Sequence, residues 1–336
     1  MAEYYTQPEF TTDYVKVKKK KKNKIWINIF LFLITLVTTT ISGVQWIKGF
    51  GLQDISVLLV GLPYSLSILF VLGSHEFGHY FAAKYHKVDA TLPYFIPLPS
   101  TELFFLNFGT MGAVIKTKSQ VPSNKAMFDI GIAGPIAGFI ASLLLLVYGF
   151  THLPGKEYIM AIHPDYDLPT YGKNALGLTF GDTILFSFIR NLFTSPGQFI
   201  PPMSEIYHYP FLCVGWFGLF VTAMNMIPVG QLDGGHIIYS MFGEKKHYII
   251  AQICLGILVI VGLLGLGDVL AGWNIGFGWS GWLFWAVILF FIIKVKHPPM
   301  PVFLHLDLKR RILGYISIFI LIISFSPSPF SISLGV

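Results

Sequence analysis

The sequence predicts an all-α, polytopic membrane protein of about six to seven transmembrane helices, with a short β-hairpin or re-entrant segment near its chemically active residues. Three observations point there. The 336 residues are 54% hydrophobic and 12% charged, against about 25% charged in an ordinary soluble domain. Mean hydropathy is +0.65, and the apolar residues fall in long runs rather than in amphipathic periods. Basic residues gather at alternate ends of those runs. The formal net charge of +6 therefore reads as topology, not as a nucleic-acid-binding surface, because much of it lies in one lysine run, Lys16 to Lys24, ahead of the first apolar stretch.

From Ile25 to Trp46 no charge occurs, and at 1.5 Å per residue this run crosses a bilayer. A signal peptide also pairs a basic with an apolar region, but this run is long and no small-residue cleavage pattern stands near Gly43, so an uncleaved anchor is expected. Further spans are expected at about Ile55 to Tyr85, Ala126 to Phe150, Phe211 to Pro228, Tyr248 to Leu270, Gly281 to Ile293 and Ile312 to Phe325. Residues 181 to 196 repeat Leu185, Phe186, Ile189 and Phe193 at helical spacing around Arg190. They predict an interfacial helix, with a re-entrant segment as the competing reading. Pro93, Pro97 and Pro99 predict a bend. Phe108 to Ser119, with Gly109, Gly112 and alternating Val114 to Lys118, predicts a strand or hairpin. Cys213 and Cys254 lie in apolar surroundings without a CxxC partner and read as core thiols.

With the lysine run in the cytoplasm, alternation also places Lys84, Lys87, Lys245, Lys246, Lys294, Lys296 and the 309 to 311 cluster inside. Loops 49 to 54, 151 to 179 and 271 to 280 fall outside. The expected organisation is a basic cytoplasmic tail over 1 to 24, a first anchor over 25 to 50, a catalytic core over 51 to 242 and C-terminal transmembrane helices over 243 to 336.

The chemistry concentrates in His75-Glu76-Phe77-Gly78-His79. On a helix, i and i+4 share a face, so His75 and His79 can hold one zinc ion while Glu76 reaches a water on that ion. Glu76 lies about eight residues, roughly 12 Å of helix, inside the basic end of its span. A carboxylate at depth costs about 2.5 to 3.5 kcal/mol, and such residues usually serve a function. The bland reading is a polar patch joining helices by hydrogen bonds. Two histidines fall short of the three protein ligands of a catalytic zinc site. Asp233, in Asn225-Met226-Ile227-Pro228-Val229-Gly230-Gln231-Leu232-Asp233-Gly234-Gly235-His236, is the candidate third, since alternation returns that span to the same side. Pro228 and the glycines break the helix there, which is tolerated at membrane depth where backbone is buried or lines a wet cavity. Taken alone, Asp233-Gly234-Gly235 also reads as an ordinary turn.

HEFGH with NMIPVGQLDGGH resembles the site-2 protease family of intramembrane zinc metalloproteases, whose paired signatures are HExxH and NxxPxxxLDG. The similarity covers about residues 55 to 242, and Gly134-Pro135-Ile136-Ala137-Gly138 resembles the family's small-residue motif. HEFGHYFAAKYH and FGTMGAV are similar to the branch with plant chloroplast and bacterial members. The resemblance implies one zinc ion per chain held by His75, His79 and Asp233, general-base work by Glu76, and a substrate or oxyanion contact from Asn225. It also implies transmembrane proteins as substrates, within a lipid bilayer. Many relatives carry a PDZ domain before the second motif; no stretch here is long enough for one.

Asp129 and His236 are candidates for supporting roles around the ligands, with helix capping and simple packing as their alternatives. His86, His152, His163, His208, His247, His297 and His305 are scattered in loops or near interfaces, and most of them read as solvated or interfacial. The 108 to 119 strand is expected to offer its edge to an unwound substrate, or to serve as a structural plug. One rival is another membrane zincin that draws its third ligand from a later glutamate, but Glu102, Glu157, Glu205 and Glu244 lie outside convincing apolar helices. The other is an inactive scaffold or transporter with a relic metal site. The tail lacks the Ser- and Arg-rich character of a transit peptide, so a prokaryotic plasma membrane is expected, with the active residues toward the cytoplasm. Oligomeric state and substrate identity are not legible.

Overall fold

Residues 24–48, 57–99, 107–169, 171 and 176–334 are described by a computed structural model. Most of the lysine run lies outside them. The chain is mostly helical: α1 (Ile25–Lys48), α2 (Leu58–Tyr85), α3 (Asn124–Thr151), α4 (Lys156–Ile162), α5 (Ile184–Phe193), α6 (Pro210–Met226), α7 (Asp233–Ala271), α8 (Gly281–Ile288) and α9 (Leu308–Ser324). Two antiparallel pairs, β1 (Tyr94–Pro97) with β2 (Thr110–Val114) and β3 (Leu176–Phe180) with β4 (Phe330–Leu334), complete it.

Three helix starts have a local cause. Ser123 accepts from the Ala126 amide and starts α3, Thr183 does the same for α5, and Pro210 opens α6, where its missing N–H costs nothing. α2, α3 and α6 pack against one another over a core that includes Tyr64, Leu146, Cys213, Trp216 and Leu219. The outer faces carry Leu66 and Phe70 on α2, Ile140 and Leu144 on α3, and Ile253, Ile257 and Ile260 on α7, all exposed. Such a surface suits lipid rather than water.

Among the described residues, four helices are long and apolar enough to cross a membrane: α1, α2, α3 and α7. The expected count of six to seven is not reached by length and composition. α6 has 17 residues, about 25 Å against a hydrocarbon core of about 30 Å, and α8 is shorter still before it relaxes into a π-turn over Leu289–Ile293. α7 also departs from expectation, beginning at Asp233 rather than near Tyr248, with a kink where Gly243 takes φ 78°. α5 is amphipathic: Phe186 and Ile189 are buried while Ile184, Phe188 and Leu192 are exposed, and Arg190 pairs with Asp182 at 3.0 Å.

The hairpin rests on α1. Asn28 Nδ2 donates to the carbonyls of Leu92 and Pro93 at 3.0 and 2.9 Å, Thr38 Oγ1 to Gly109 at 2.6 Å and Trp46 Nε1 to Asn107 at 2.9 Å. The side chains of α1 thereby satisfy irregular backbone that lipid could not. Ala90 bridges Thr117, extending the pairing past β2. Lys116 and Lys118 bond toward residues 89–91, so the intervening Ile115 and Thr117 turn their backbone groups the other way, toward α2.

Candidate metal centre

α2 carries His75 and His79 on one buried face, and the turn between α6 and α7 brings Asp233 to them. The Nε2 atoms of the two histidines lie 3.1 Å apart. Asp233 Oδ2 is 3.3 Å from His75 Nε2 and 3.4 Å from His79 Nε2. A tetrahedral zinc ion with bonds of about 2.0 to 2.1 Å separates its ligands by about 3.3 to 3.4 Å, so the three donor atoms already stand at the spacing of three corners of such a site. Glu76, 8% exposed, holds Oε1 at 4.0 Å from His75 Nε2. Ile115, just beyond β2, lines the same cleft as this carboxylate.

The surroundings fix these donors. His79 Nδ1 donates to the Ile130 carbonyl on α3 at 2.7 Å, which leaves Nε2 with its lone pair directed at the centre. α3 comes this close because Gly134 and Gly138 face the imidazoles: a Cβ on Gly134 would lie 2.1 Å from His79 Nε2, and one on Gly138 3.2 Å from His75 Nδ1. Asp233 is the first residue of α7, where the unpaired amides of the helix start favour a carboxylate. The irregular backbone before it is buried at Ile227 and Val229 and bonds to Val295 through the Gly230 amide. A cleft of about 380 Å³ opens onto the three donors and Glu76, with Asn225, Ile115 and Thr117 on its walls.

The two supporting candidates part ways. His236 lines the same cleft, and its Nδ1 lies 2.8 Å from His297 Nε2. His297 Nδ1 donates to the Pro298 carbonyl at 2.6 Å, so His297 Nε2 accepts from His236, whose own Nε2 keeps a lone pair. Burial holds His297 below its ordinary pKa, in keeping with this neutral chain. Asp129 does not reach the metal donors. Its carboxylate takes a two-point contact from Arg310, at 2.8 and 2.6 Å, and lies 2.7 Å from His86 Nε2; the α3 cap is Ser123. The next residue, Ile130, supplies the supporting contact through its backbone, which no side-chain pattern announces.

Three histidines read as solvated or interfacial are buried: His208, His247 and His297. His247 and His297 pack around Tyr239 beside His236. Glu205, dismissed with the later glutamates, is buried as well and sits near His208 at the far end of α6.

The pattern of peptidase family M50 matches residues 63–265, a stretch that contains both His75–His79 and Asp233. Over 210 residues the chain is 31% identical to the chloroplastic "probable zinc metalloprotease EGY1" of Arabidopsis thaliana, covering 62% of this chain and 34% of that protein. It is 26% identical over 280 residues to the chloroplastic EGY2 of the same plant, covering 83% and 44%, and 26% over 242 residues to its EGY3, covering 69% and 39%. The chain thus spans less than half the length of these curated relatives. No solved structure matches it significantly. With the family pattern covering more than half of the chain and a donor set that fits zinc, the chain belongs to peptidase family M50.

Proposed function

We propose that the protein is an intramembrane zinc metalloprotease that hydrolyses peptide bonds within the transmembrane segments of other membrane proteins. The observation that carries this reading is the convergence of His75 Nε2, His79 Nε2 and Asp233 Oδ2 at 3.1 to 3.4 Å beside a buried Glu76. His75, His79 and Asp233 hold the ion. When bound, zinc supplies Lewis-acid activation of a water and of a peptide carbonyl. Glu76 takes the proton released on attack at its carboxylate and returns it to the leaving amine. Asn225, on the cleft wall, contacts the substrate near the reacting carbonyl. The Ile130 carbonyl orients His79, a role Asp129 does not share, while His236 lines the cleft beside the ligands.

A helical substrate has its carbonyls engaged in i to i+4 bonds and must unwind before attack. The backbone groups of Ile115 and Thr117, turned away from the hairpin and onto the cleft, offer an edge that an extended segment can join. α6, α8 with its π-turn, and α9 add to the four long helices to make seven spans, the upper end of the expected six to seven. On this reading the catalytic core runs over 51–242 and the C-terminal helices over 243–336, with the Gly243 kink at their junction, while the family match itself spans 63–265. Lys84, Lys87, Lys116, Lys118 and the 309 to 311 cluster lie toward the metal-bearing end of the helices. Fewer basic residues, Lys48, Lys156 and Arg190, lie toward the other, and the excess at the metal-bearing end favours a cytoplasmic active site. We take the membrane to be a prokaryotic plasma membrane with the basic tail on its cytoplasmic side, although the relatives named above are chloroplastic.

The test is cleavage of a model transmembrane substrate by the full chain in liposomes, comparing wild type with Glu76→Gln. The variant is expected to keep its zinc and lose at least about 100-fold in rate. Undiminished cleavage removes the reading.

A further inference from the structure

A second group of donor atoms lies at the opposite end of α6 from Asn225, about 25 Å of helix away. His163, just after α4, and the 205–208 turn bring three side chains together. His163 Nε2 is 2.9 Å from His208 Nε2, His208 Nε2 is 3.4 Å from Glu205 Oε2, and His163 Nε2 is 3.9 Å from the same oxygen. Glu205 and His208 stand three residues apart on a 3₁₀ turn, where i and i+3 side chains eclipse.

The protons in this cluster do not suffice to pair its acceptors. His208, 0% exposed, lies with Nδ1 2.8 Å from the Ile47 carbonyl at the end of α1. That contact consumes the N–H of the neutral ring and leaves Nε2 bare. Glu205, 4% exposed, accepts from the Tyr171 hydroxyl at Oε1, but its Oε2 is buried without a hydrogen-bond partner. A bare nitrogen and an orphaned carboxylate oxygen therefore face each other, with one proton available from His163. Leaving a carboxylate oxygen in this condition is costly. A cation satisfies all three atoms at once, and a point equidistant from them lies about 2.0 Å from each, the length of zinc bonds to imidazole and carboxylate. The outer contacts are of the kind that fix ligands: a backbone carbonyl on the far nitrogen of His208, a phenol on the far oxygen of Glu205, and the Tyr158 hydroxyl on the His208 carbonyl at 2.7 Å.

We propose that His163, Glu205 and His208 bind a second divalent transition-metal ion, with zinc the best fit to two imidazoles and a carboxylate. The ion is structural. It ties the end of α4 to the turn before α6 and, through Ile47, to the end of α1, bracing the face of the protein remote from the cleft.

The experiment is zinc stoichiometry on tag-free full chain purified in detergent, read with thermal melting. Wild type is expected to hold two equivalents and His163→Ala one; His163 is the most exposed of the three ligands, so its loss leaves the buried packing in place. The His75→Ala/His79→Ala chain should hold one equivalent, lost when His163→Ala is added and kept with His163→Cys, whose thiolate still coordinates. Chelation should lower the melting temperature of the His75→Ala/His79→Ala chain and leave that of the triple variant unmoved. The proposal is overturned if the His75→Ala/His79→Ala chain binds no zinc, or if His163→Ala leaves the zinc content unchanged. A protonated His208 paired with Glu205 produces that second result.

Discussion

Gly134 on α3 stands directly over His79 on α2: a Cβ at that position would lie 2.1 Å from the Nε2 that faces Asp233. The small-residue motif of α3 is therefore a cradle for the imidazoles as well as a helix-packing device. Gly134→Ala is expected to lower zinc affinity at this centre at least about 10- to 100-fold, the range seen when ligand positioning is disturbed. Gly138→Ala, whose Cβ would meet His75 Nδ1 at 3.2 Å, should do less. Zinc titration of the two purified variants orders them.

The hairpin depends on α1 for its hydrogen bonds. Asn28→Leu removes the donor shared by the Leu92 and Pro93 carbonyls, at a cost of about 1 to 3 kcal/mol for buried groups left unpaired. Faster proteolysis or amide exchange in residues 90–97, with zinc content unchanged, is the expected outcome.

Asp129 separates a structural from a catalytic role. Its carboxylate belongs to Arg310 on α9 and to His86, so Asp129→Asn should loosen α9 and lower the melting temperature by several degrees while zinc binding persists. Loss of zinc with unchanged melting would instead assign Asp129 to the ligands.

If Ile115 and Thr117 present an edge to substrate, photo-cross-linkers placed along 113–117 in the Glu76→Gln chain should capture a transmembrane substrate. Positions on the exposed face of α5, such as Phe188, should not. Equal capture at both would reduce the strand to a plug.

Much of the centre was legible because its residues obey local rules. His75 and His79 declare themselves by the 3.6-residue repeat, and Asp233 by the helix-breaking sequence around it. Within Phe108 to Ser119 only Thr110–Val114 forms a strand, ahead of most of the alternating residues, and it pairs with Tyr94–Pro97, in the segment whose prolines read as a bend. The contacts that fix the donors were not legible, because Ile130 acts through a carbonyl that every residue possesses. The cluster at the far end of α6 was hidden for another reason: His163 and Glu205 are separated by forty-odd residues of loop and short helix, with no spacing rule to join them. His247 and His297 likewise looked peripheral until the kink at Gly243 and the 294–307 segment enclosed them around Tyr239. Helix limits misled where an apolar run begins inside a longer helix, as Tyr248 does within α7.

The most direct test is zinc anomalous scattering from crystals of the full chain. A peak about 2.0 to 2.2 Å from His75 Nε2, His79 Nε2 and an Asp233 oxygen is predicted, with the Glu76 carboxylate beside it. A zinc ion bound by the two histidines while Asp233 points elsewhere, or no ion on α2 at all, would contradict the account.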